Sequence, residues 1–347
     1  MPNEVINPNK NTHLIGHDEA IKLFLTAYNS GSLHHGWLIT GAEGIGKATL
    51  AYKIARFLLT AEENKNYNSL EISPTHPVFG QIIQKSHPDF KVLERDYTET
   101  DKKKLIKAIN SGDTVDEELK QSLKRSSVIK VEDVRDVVSF LSKKSFNNNW
   151  RVVIVDSADD LNTSSANALL KILEEPPLKS ILLLLSHNPG KLLPTIRSRC
   201  AKLALQPLKE ENVASLIRRY LPDLDETSVK GLAKISKGSI GRAINYANNN
   251  ALDMYEDIKK ICYSGSRADG ELLLNLSTLV SSDEDCWSLF SELICRFVRD
   301  NMTETQNKTK LYEAYENILK ILNEVNNLNM DKKQSALQIL NLLTEIQ

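Results

Sequence analysis

The stretch with the most evident chemical potential follows the pattern G-x-x-x-x-G-K, from Gly41 to Lys47. In such a loop, backbone N–H groups surround a phosphate and the lysine binds it electrostatically. The next position should carry a Ser or Thr hydroxyl that holds Mg²⁺, but here it is Ala48. The sequence therefore predicts a phosphate cradle that has lost a metal ligand.

Three glycines shape this loop, Gly41, Gly44 and Gly46. They serve either to bring the backbone close to a phosphate or only to form a tight turn. Thr49 does not replace the missing hydroxyl, because one step along a helix turns a side chain by about 100°. Lys47 is still able to attract a phosphate, so weak or vestigial ATP binding stays open while turnover is not expected.

A second strand must supply a carboxylate that orders Mg²⁺. The run WRVVIVD (150–156) ends in Asp156. The residue after it should be a glutamate that polarises the attacking water, but it is Ser157, and a hydroxyl is not a general base near neutral pH. Asp159 and Asp160 follow one turn later, and we expect them to point elsewhere.

A parallel sheet covered by helices would bring these groups together. Short apolar runs alternate with amphipathic helices over the first two hundred residues, which predicts an α/β fold. A helix is expected directly after the loop, with an apolar stripe of Leu50, Ile54, Phe57 and Leu58. No strand is expected beyond Cys200. The predicted strands are 36–40, 89–94, a short one at the start of SVIKVEDVRDVVSFLSKKS (127–145), 150–156 and the ILLLL run at 181–185.

Three further segments differ in composition from this core. Residues 96–127 are charged and are expected to form a partly helical surface insertion. Residues 207–250 predict a small helical unit, and 251–347 predict helices throughout. The last helices carry one long apolar stripe, covered either by packing within the domain or by a partner. Its members are Leu311, Tyr315, Ile318, Leu322 and Val325.

Composition limits the function classes. The chain has 347 residues, of which 41% are hydrophobic, and a net charge of −1. This charge provides no global attraction to nucleic acid, so contact with DNA would need a local patch or an assembly. Its N-terminus has no apolar signal core and its apolar runs are far shorter than a membrane span. We expect a cytoplasmic protein without a membrane partner.

A structural zinc site is not expected from the cysteines. The chain has four, at positions 200, 262, 286 and 295. They lack the close pairing that zinc requires, so reduced thiols are the simpler interpretation.

One family matches these motifs across residues 12–248. The chain resembles the delta-prime subunits of the bacterial DNA polymerase III clamp loader. The resemblance rests on the P-loop segment and on the more specific strings SHPDF, VIVDSADDL, ANALLKILEEPP, SRC and GSIGRAI. It implies an AAA+ P-loop core with a parallel sheet at 1–205, a helical lid at 206–250 and an all-α collar for oligomerisation at 251–347.

The resemblance also implies a function in DNA replication. Such a subunit assembles with the gamma/tau motor subunits and the delta subunit, and the assembly loads the sliding clamp on primer-template DNA as part of the polymerase III holoenzyme. Because Ala48 and Ser157 replace groups that the motors have, the chain is expected to be the non-hydrolysing stator. It would need no cofactor, and the cysteine-free stretch 61–88 predicts no zinc.

The arginine of SRC is the expected catalytic contribution. In the family this residue, Arg199 here, projects into the ATP site of a neighbouring subunit as an arginine finger. From the sequence alone a surface salt bridge is favoured for Arg199, and only the resemblance favours the finger. Arg197 lies close by and is expected to contact either the same neighbour or the local acidic surface. Arg242 occupies the place of the lid sensor, for nucleotide contact or for packing, and packing is favoured for the polar strand end at 186–188.

Two rival hypotheses assign an enzymatic activity to the chain itself. One is a catalytically active AAA+ clamp-loader ATPase with an unusual metal shell. The other is a small-molecule P-loop kinase, which would leave the helical C-terminal third without a purpose.

Overall fold

A computed structural model gives the positions of most of the chain. It describes residues 7–62, 65–111, 123–143, 145, 149–302, 308–328 and 330–345. The chain forms two structural units, and each is described by itself. The first consists of Met1–Tyr220 and Lys237–Gly241, and the second of Leu221–Ser236 and Arg242–Gln347. The three-domain boundaries expected from the sequence remain a prediction.

One parallel sheet organises the first unit. Across its described residues the strand order is β2-β3-β4-β1-β5, and every neighbouring pair is parallel. This confirms the predicted α/β class and four of the five predicted strands. The strand predicted at the start of 127–145 is wrong, because the described residues there make only the isolated bridge Ile129↔Leu161. The strands are Gly36–Thr40 (β1), Phe90–Leu93 (β2), Arg151–Val155 (β3), Ser180–Ser186 (β4) and Ala201–Ala204 (β5).

The central strands are buried on both faces, which explains their continuous apolar sequences. Side chains alternate between the faces of a strand. Trp37 and Ile39 of β1 therefore lie in one apolar core and Leu38 in the other. In β3, Ile154 and Val153 divide between the same two cores.

Helices cover both faces of this sheet. The stripe predicted after the loop is confirmed, because Leu50, Ile54, Phe57 and Leu58 are all buried in one core. The described helices of the first unit are Asp18–Asn29 (α1), Lys47–Thr60 (α2), Pro77–Ile83 (α3), Glu99–Ser111 (α4), Val131–Ser142 (α5), Thr163–Glu174 (α6), Pro194–Ser198 (α7) and Glu210–Tyr220 (α8).

Helix α6 has local signals at both ends. The side chain of Asn162 accepts a hydrogen bond from the backbone N–H of Ser165 at 2.9 Å and so caps the N-terminus. The helix ends at Glu174, just before the proline pair Pro176 and Pro177, because the residue before a proline avoids the helical conformation.

The fifth strand corrects the expectation that no strand follows Cys200. Its sequence, AKLA, contains no β-branched or aromatic residue, so its own preference for strand is weak. The strand forms because the free edge of β1 offers unpaired backbone groups, and β5 pairs with it from Trp37↔Ala201 to Thr40↔Ala204.

The polar insertion predicted at 96–127 is helical in part, since it contains α4. Residues 112–122 lie outside the described residues. The two ends of the insertion are joined: Thr98 N–H donates to Lys124 O at 2.9 Å and Ser126 N–H to Asp96 O at 2.8 Å. The insertion therefore leaves the core and returns to it at one place.

The second unit is helical in its described residues. This confirms the prediction for 251–347 apart from 303–307, 329 and 346–347, which lie outside the described residues. Its described helices are Glu226–Ile235 (α9), Ile240–Asn248 (α10), Ala251–Ser264 (α11), Gly270–Val280 (α12), Glu284–Met302 (α13), Lys308–Leu328 (α14) and Lys332–Thr344 (α15). The first two residues of α10, Ile240 and Gly241, belong to the first unit.

Packing within the second unit covers the predicted apolar stripe. Tyr315 is half-buried, and the other four members, Leu311, Ile318, Leu322 and Val325, are buried. No described helix in either unit is long and apolar enough to cross a membrane.

The two-sided burial of β3 predicts a large effect of truncation. Ile154→Ala should lower the free energy of unfolding by about 2–5 kcal/mol, because it deletes a fully buried side chain and leaves a cavity. Leu178→Ala is the matched control: Leu178 is 98% exposed, so the change should stay within about 0.5 kcal/mol. Urea unfolding measures both, and equal effects would contradict the assigned core.

Candidate functional site

The glycine loop connects β1 to α2 and has the conformation that only glycine adopts without strain. Gly46, the residue before α2, has φ of +111°, and Gly44 has φ of +73°. A Cβ atom on Gly44 would also lie only 2.4 Å from the Ser239 hydroxyl. These glycines are therefore required by the backbone itself. Gly41 begins the loop, where its N–H donates to Ser186 O at 3.3 Å.

The ammonium group of Lys47 is held by the loop. Its Nζ donates to Gly41 O at 2.8 Å and to Ala42 O at 2.7 Å, and the side chain is 9% exposed. Burial lowers the pKa of Lys47, while the carboxylates of Glu43, Asp159 and Asp156, in decreasing order, act in the opposite direction. Two of its three N–H donors are thus used within the loop.

The first turn of α2 offers no described metal ligand. Ala48 ends in a methyl group that packs against the apolar core. Thr49 is buried, with 6% of its surface exposed, as expected for a residue turned into the protein. The hydroxyl expected at the loop in a Mg²⁺-dependent site is therefore missing from position 48.

Asp156 follows β3 at the same edge of the sheet. Its backbone N–H donates to Leu93 O at 2.8 Å, and its side chain stays accessible to solvent. Desolvation by the surrounding protein raises the pKa of Asp156, and Glu94 adds to this while Lys47 opposes it. Asp156 thus directly follows β3, and its role in ordering Mg²⁺ remains a prediction.

Ser157 is strained and has no basic group. It adopts φ of 66° and ψ of 75°, the left-handed region, and its Oγ is buried without a hydrogen-bond partner among the described residues. A non-glycine residue held in this region costs on the order of 1 kcal/mol or more.

Asp159 corrects one expectation. It was expected to point away, but a short 3₁₀ turn, Ala158–Asp160, carries it to the end of β4. There its carboxylate accepts hydrogen bonds from Ser186 Oγ at 2.7 Å and from the backbone N–H of His187 at 2.7 Å. No motif or spacing in the sequence indicates this return of the chain. Asp160 does point elsewhere, because its Oδ2 lies 3.2 Å from Nε of Arg95.

A second contact that the sequence did not indicate comes from the turn at Lys237–Gly241. Ser239 Oγ donates to Glu43 O at 2.8 Å, and Gly241 N–H donates to Gly44 O at 2.9 Å. A Cβ on Gly241 would lie 2.8 Å from Gly44 Cα. The turn therefore packs directly on the backbone of the loop.

Arg242, the predicted lid-sensor residue, has an ion-pair partner within the second unit. Its Nε lies 3.0 Å from Glu292 Oε1 on α13. The hydroxyl of Tyr246 donates to the same oxygen at 2.8 Å. Its role in nucleotide contact remains a prediction.

Arg199 lies at the surface of the first unit, just after α7. Its Nη2 is 3.1 Å from Glu174 Oε1, and its Nη1 donates to Thr195 O at 3.2 Å. The side chain is 37% exposed, so part of the guanidinium remains accessible. Arg197 is half-buried, and its Nε has no hydrogen-bond partner among the described residues.

The family is decided by a match over residues 16–209, more than half of the chain, to the family described as "DNA polymerase III, delta subunit". The chain belongs to this clamp-loader subunit family. Membership confirms the family resemblance seen in the sequence, and with the parallel sheet it confirms the AAA+ fold class.

Curated relatives of two kinds match the chain. The delta' subunit of DNA polymerase III from Pseudomonas aeruginosa is 33% identical over 207 residues, 59% of this chain and 53% of the relative. The gamma subunit from Buchnera aphidicola subsp. Schizaphis graminum is 27% identical over 236 residues, 67% of this chain and 56% of the relative. The chain thus spans about half the length of these relatives.

Among solved structures, a RuvB variant from Thermotoga maritima has 14% sequence identity and a TM-score of 0.42, covering 92% of this chain and 83% of that one. At this score the likeness carries no argument about function. No group of three or more His, Cys, Asp or Glu side chains suited to a metal ion occurs among the residues with described positions.

The strain at Ser157 predicts a stabilising substitution. Ser157→Gly should raise the free energy of unfolding by about 0.5–1 kcal/mol, because glycine adopts positive φ without a Cβ clash and this gain is partly offset in the unfolded chain. Ser157→Ala is the matched control, since it removes the unpaired hydroxyl but keeps the Cβ. If urea unfolding gave both variants the same gain, the backbone would not be the source of the strain.

Proposed function

We propose that this chain is the non-hydrolysing stator of a DNA polymerase III clamp loader, the subunit that the others assemble around while they consume ATP. It would assemble with gamma/tau motor subunits and a delta subunit. The assembly would load a sliding clamp on primer-template DNA, and this chain would complete one ATP site with Arg199. Family membership and the curated delta' relatives support the proposal.

The observation that carries the stator assignment is the pair Ala48 and Ser157 beside an otherwise complete loop. The first lacks the hydroxyl that holds Mg²⁺, and the second lacks the carboxylate that activates water. The two losses are at different strand ends and remove different steps of the reaction. A site that lacks the metal ligand and also lacks the base has no route to rapid ATP hydrolysis.

The charges around Lys47 support weak or absent ATP binding. Three carboxylates, those of Glu43, Asp156 and Asp159, act on its ammonium group. A triphosphate would add further negative charge to this place, and Lys47 is already bonded to Gly41 O and Ala42 O. We therefore propose that the chain requires no nucleotide. The cysteines, which lack the close pairing that zinc needs, extend the proposal to no zinc.

The accessibility of Arg199 supports its role as the finger. A guanidinium is planar and always charged, so it suits the charge that develops on a transferred phosphoryl group. An arginine finger contributes about 10³–10⁵ in rate in other phosphoryl-transfer systems. Such a role fits a chain with no reaction of its own.

One rival function keeps specific support. A catalytically active clamp-loader ATPase agrees with the gamma relatives and with the intact loop and Asp156. It would need water or a substrate oxygen in place of the hydroxyl missing at Ala48, and another group in place of a base at Ser157.

Paired substitutions in a reconstituted loader separate the finger from the loop. Arg199→Ala should remove the DNA-stimulated ATP hydrolysis of the site that it completes, by about 10³-fold or more at that site, and should depress clamp loading. Lys47→Ala, the matched loss of a positive charge, should leave both nearly unchanged. Phosphate release measures hydrolysis.

Arg199→Lys is the conservative control. It keeps the charge but loses the planar fork, so it should restore only part of the hydrolysis. Abolition of activity by Lys47→Ala alone would contradict the stator assignment.

A further inference from the structure

The proposed arginine finger, Arg199, has a carboxylate beside it, that of Glu174. Glu174 Oε1 lies 3.1 Å from Nη2 of Arg199. Both side chains are partly exposed, 49% for Glu174 and 37% for Arg199. An accessible ion pair of this kind contributes about 0–1 kcal/mol to stability, so holding the fold together does not account for it.

The place of Glu174 on its helix is unfavourable for the helix. Glu174 is the last residue of α6, and Glu175 follows it. The C-terminus of a helix carries partial negative charge and favours basic side chains. A carboxylate there therefore needs a reason outside helix stability, and among the described residues Arg199 is its ion-pair partner.

The end of α6 is anchored firmly enough to set a direction. The ring Nε2 of His35 is 2.9 Å from Leu173 O and can donate to this helix-end carbonyl. A Cβ on Gly36 would lie 2.8 Å from Leu173 Cδ2 and 3.4 Å from Arg199 O, so β1, α6 and the finger backbone meet without space between them. Glu174 and Arg199 thus project from one packed base.

The contacts leave donors for a partner. Nη1 of Arg199 donates one N–H to Thr195 O, and Nη2 lies at ion-pair distance from the Glu174 carboxylate. Arginine has five such donors in a fixed plane. One hydrogen bond and one ion pair within the first unit therefore restrain the guanidinium plane and leave further N–H groups to meet phosphoryl oxygens.

We propose that Glu174 is a positioning residue that holds the Arg199 guanidinium in the orientation in which it enters the neighbouring subunit's ATP site. This inference rests on the proposed function. Glu174 acts on the finger before docking, so the finger does not have to be ordered at the moment of reaction.

The test uses the complete reconstituted loader. The rate that depends on the finger is the DNA-stimulated hydrolysis lost in Arg199→Ala. Glu174→Ala should lower this rate at least about fivefold, because a misoriented group loses much of its effect while its charge remains. The loss should appear in kcat and not in the KM for ATP.

Three control variants test whether the effect of Glu174→Ala acts through the orientation of Arg199. Glu174→Gln should restore most of the rate, because its amide oxygen can still accept from Nη2. Glu175→Ala, an adjacent exposed carboxylate, should have no effect. Glu174→Ala in the Arg199→Ala background should cause no further loss, and none of these changes should shift the thermal unfolding midpoint of the chain.

The outcomes separate the two proposals. If Arg199→Ala leaves hydrolysis unchanged, the proposed finger function fails. If Arg199→Ala depresses hydrolysis but Glu174→Ala does not, or acts additively with it, only the positioning role is overturned. Faster hydrolysis in Glu174→Ala would also overturn it, since Glu174 would then restrain the finger.

Discussion

The hydrogen bonds that hold β1 between β4 and β5 fix where every group of the candidate site lies. Gly41 N–H donates to Ser186 O, and Leu205 N–H donates to Thr40 O. Parallel strands place their carboxyl ends at one edge of the sheet, where ligands bind in open α/β folds. The loop after β1, Asp156 after β3 and the polar end of β4 therefore meet there.

This edge of the sheet has the glycine loop of a phosphate-binding site but lacks the hydroxyl at position 48 and the carboxylate at position 157. The loop still requires glycine at Gly44 because the turn at Lys237–Gly241 packs on it. Such packing preserves the motif whether or not a phosphate binds. Glu174, in contrast, lies at a helix end that disfavours it and contacts Arg199. In our proposal the catalytic contribution of the chain comes from Arg199 at the surface and not from the groups at the strand edge.

The sequence predicted those parts of the structure whose signals are local. Two-sided burial produces apolar runs such as β3, and glycine spacing marks the loop, so both were predicted. β5 was missed because AKLA becomes a strand only through the free edge of β1. The bond of Asp159 to Ser186 and the pairing of Glu174 with Arg199 were missed because each joins distant residues through turns.

In our proposal the chain contributes an arginine to a neighbour's ATP hydrolysis and hydrolyses no ATP itself. The most direct measurement is the ATP hydrolysis of the isolated chain with saturating Mg²⁺ and ATP. We predict no turnover above a matched Asp156→Asn variant, because the metal ligand and the base are both missing. Rapid turnover that Asp156→Asn abolishes would show that the chain is an ATPase and not a stator.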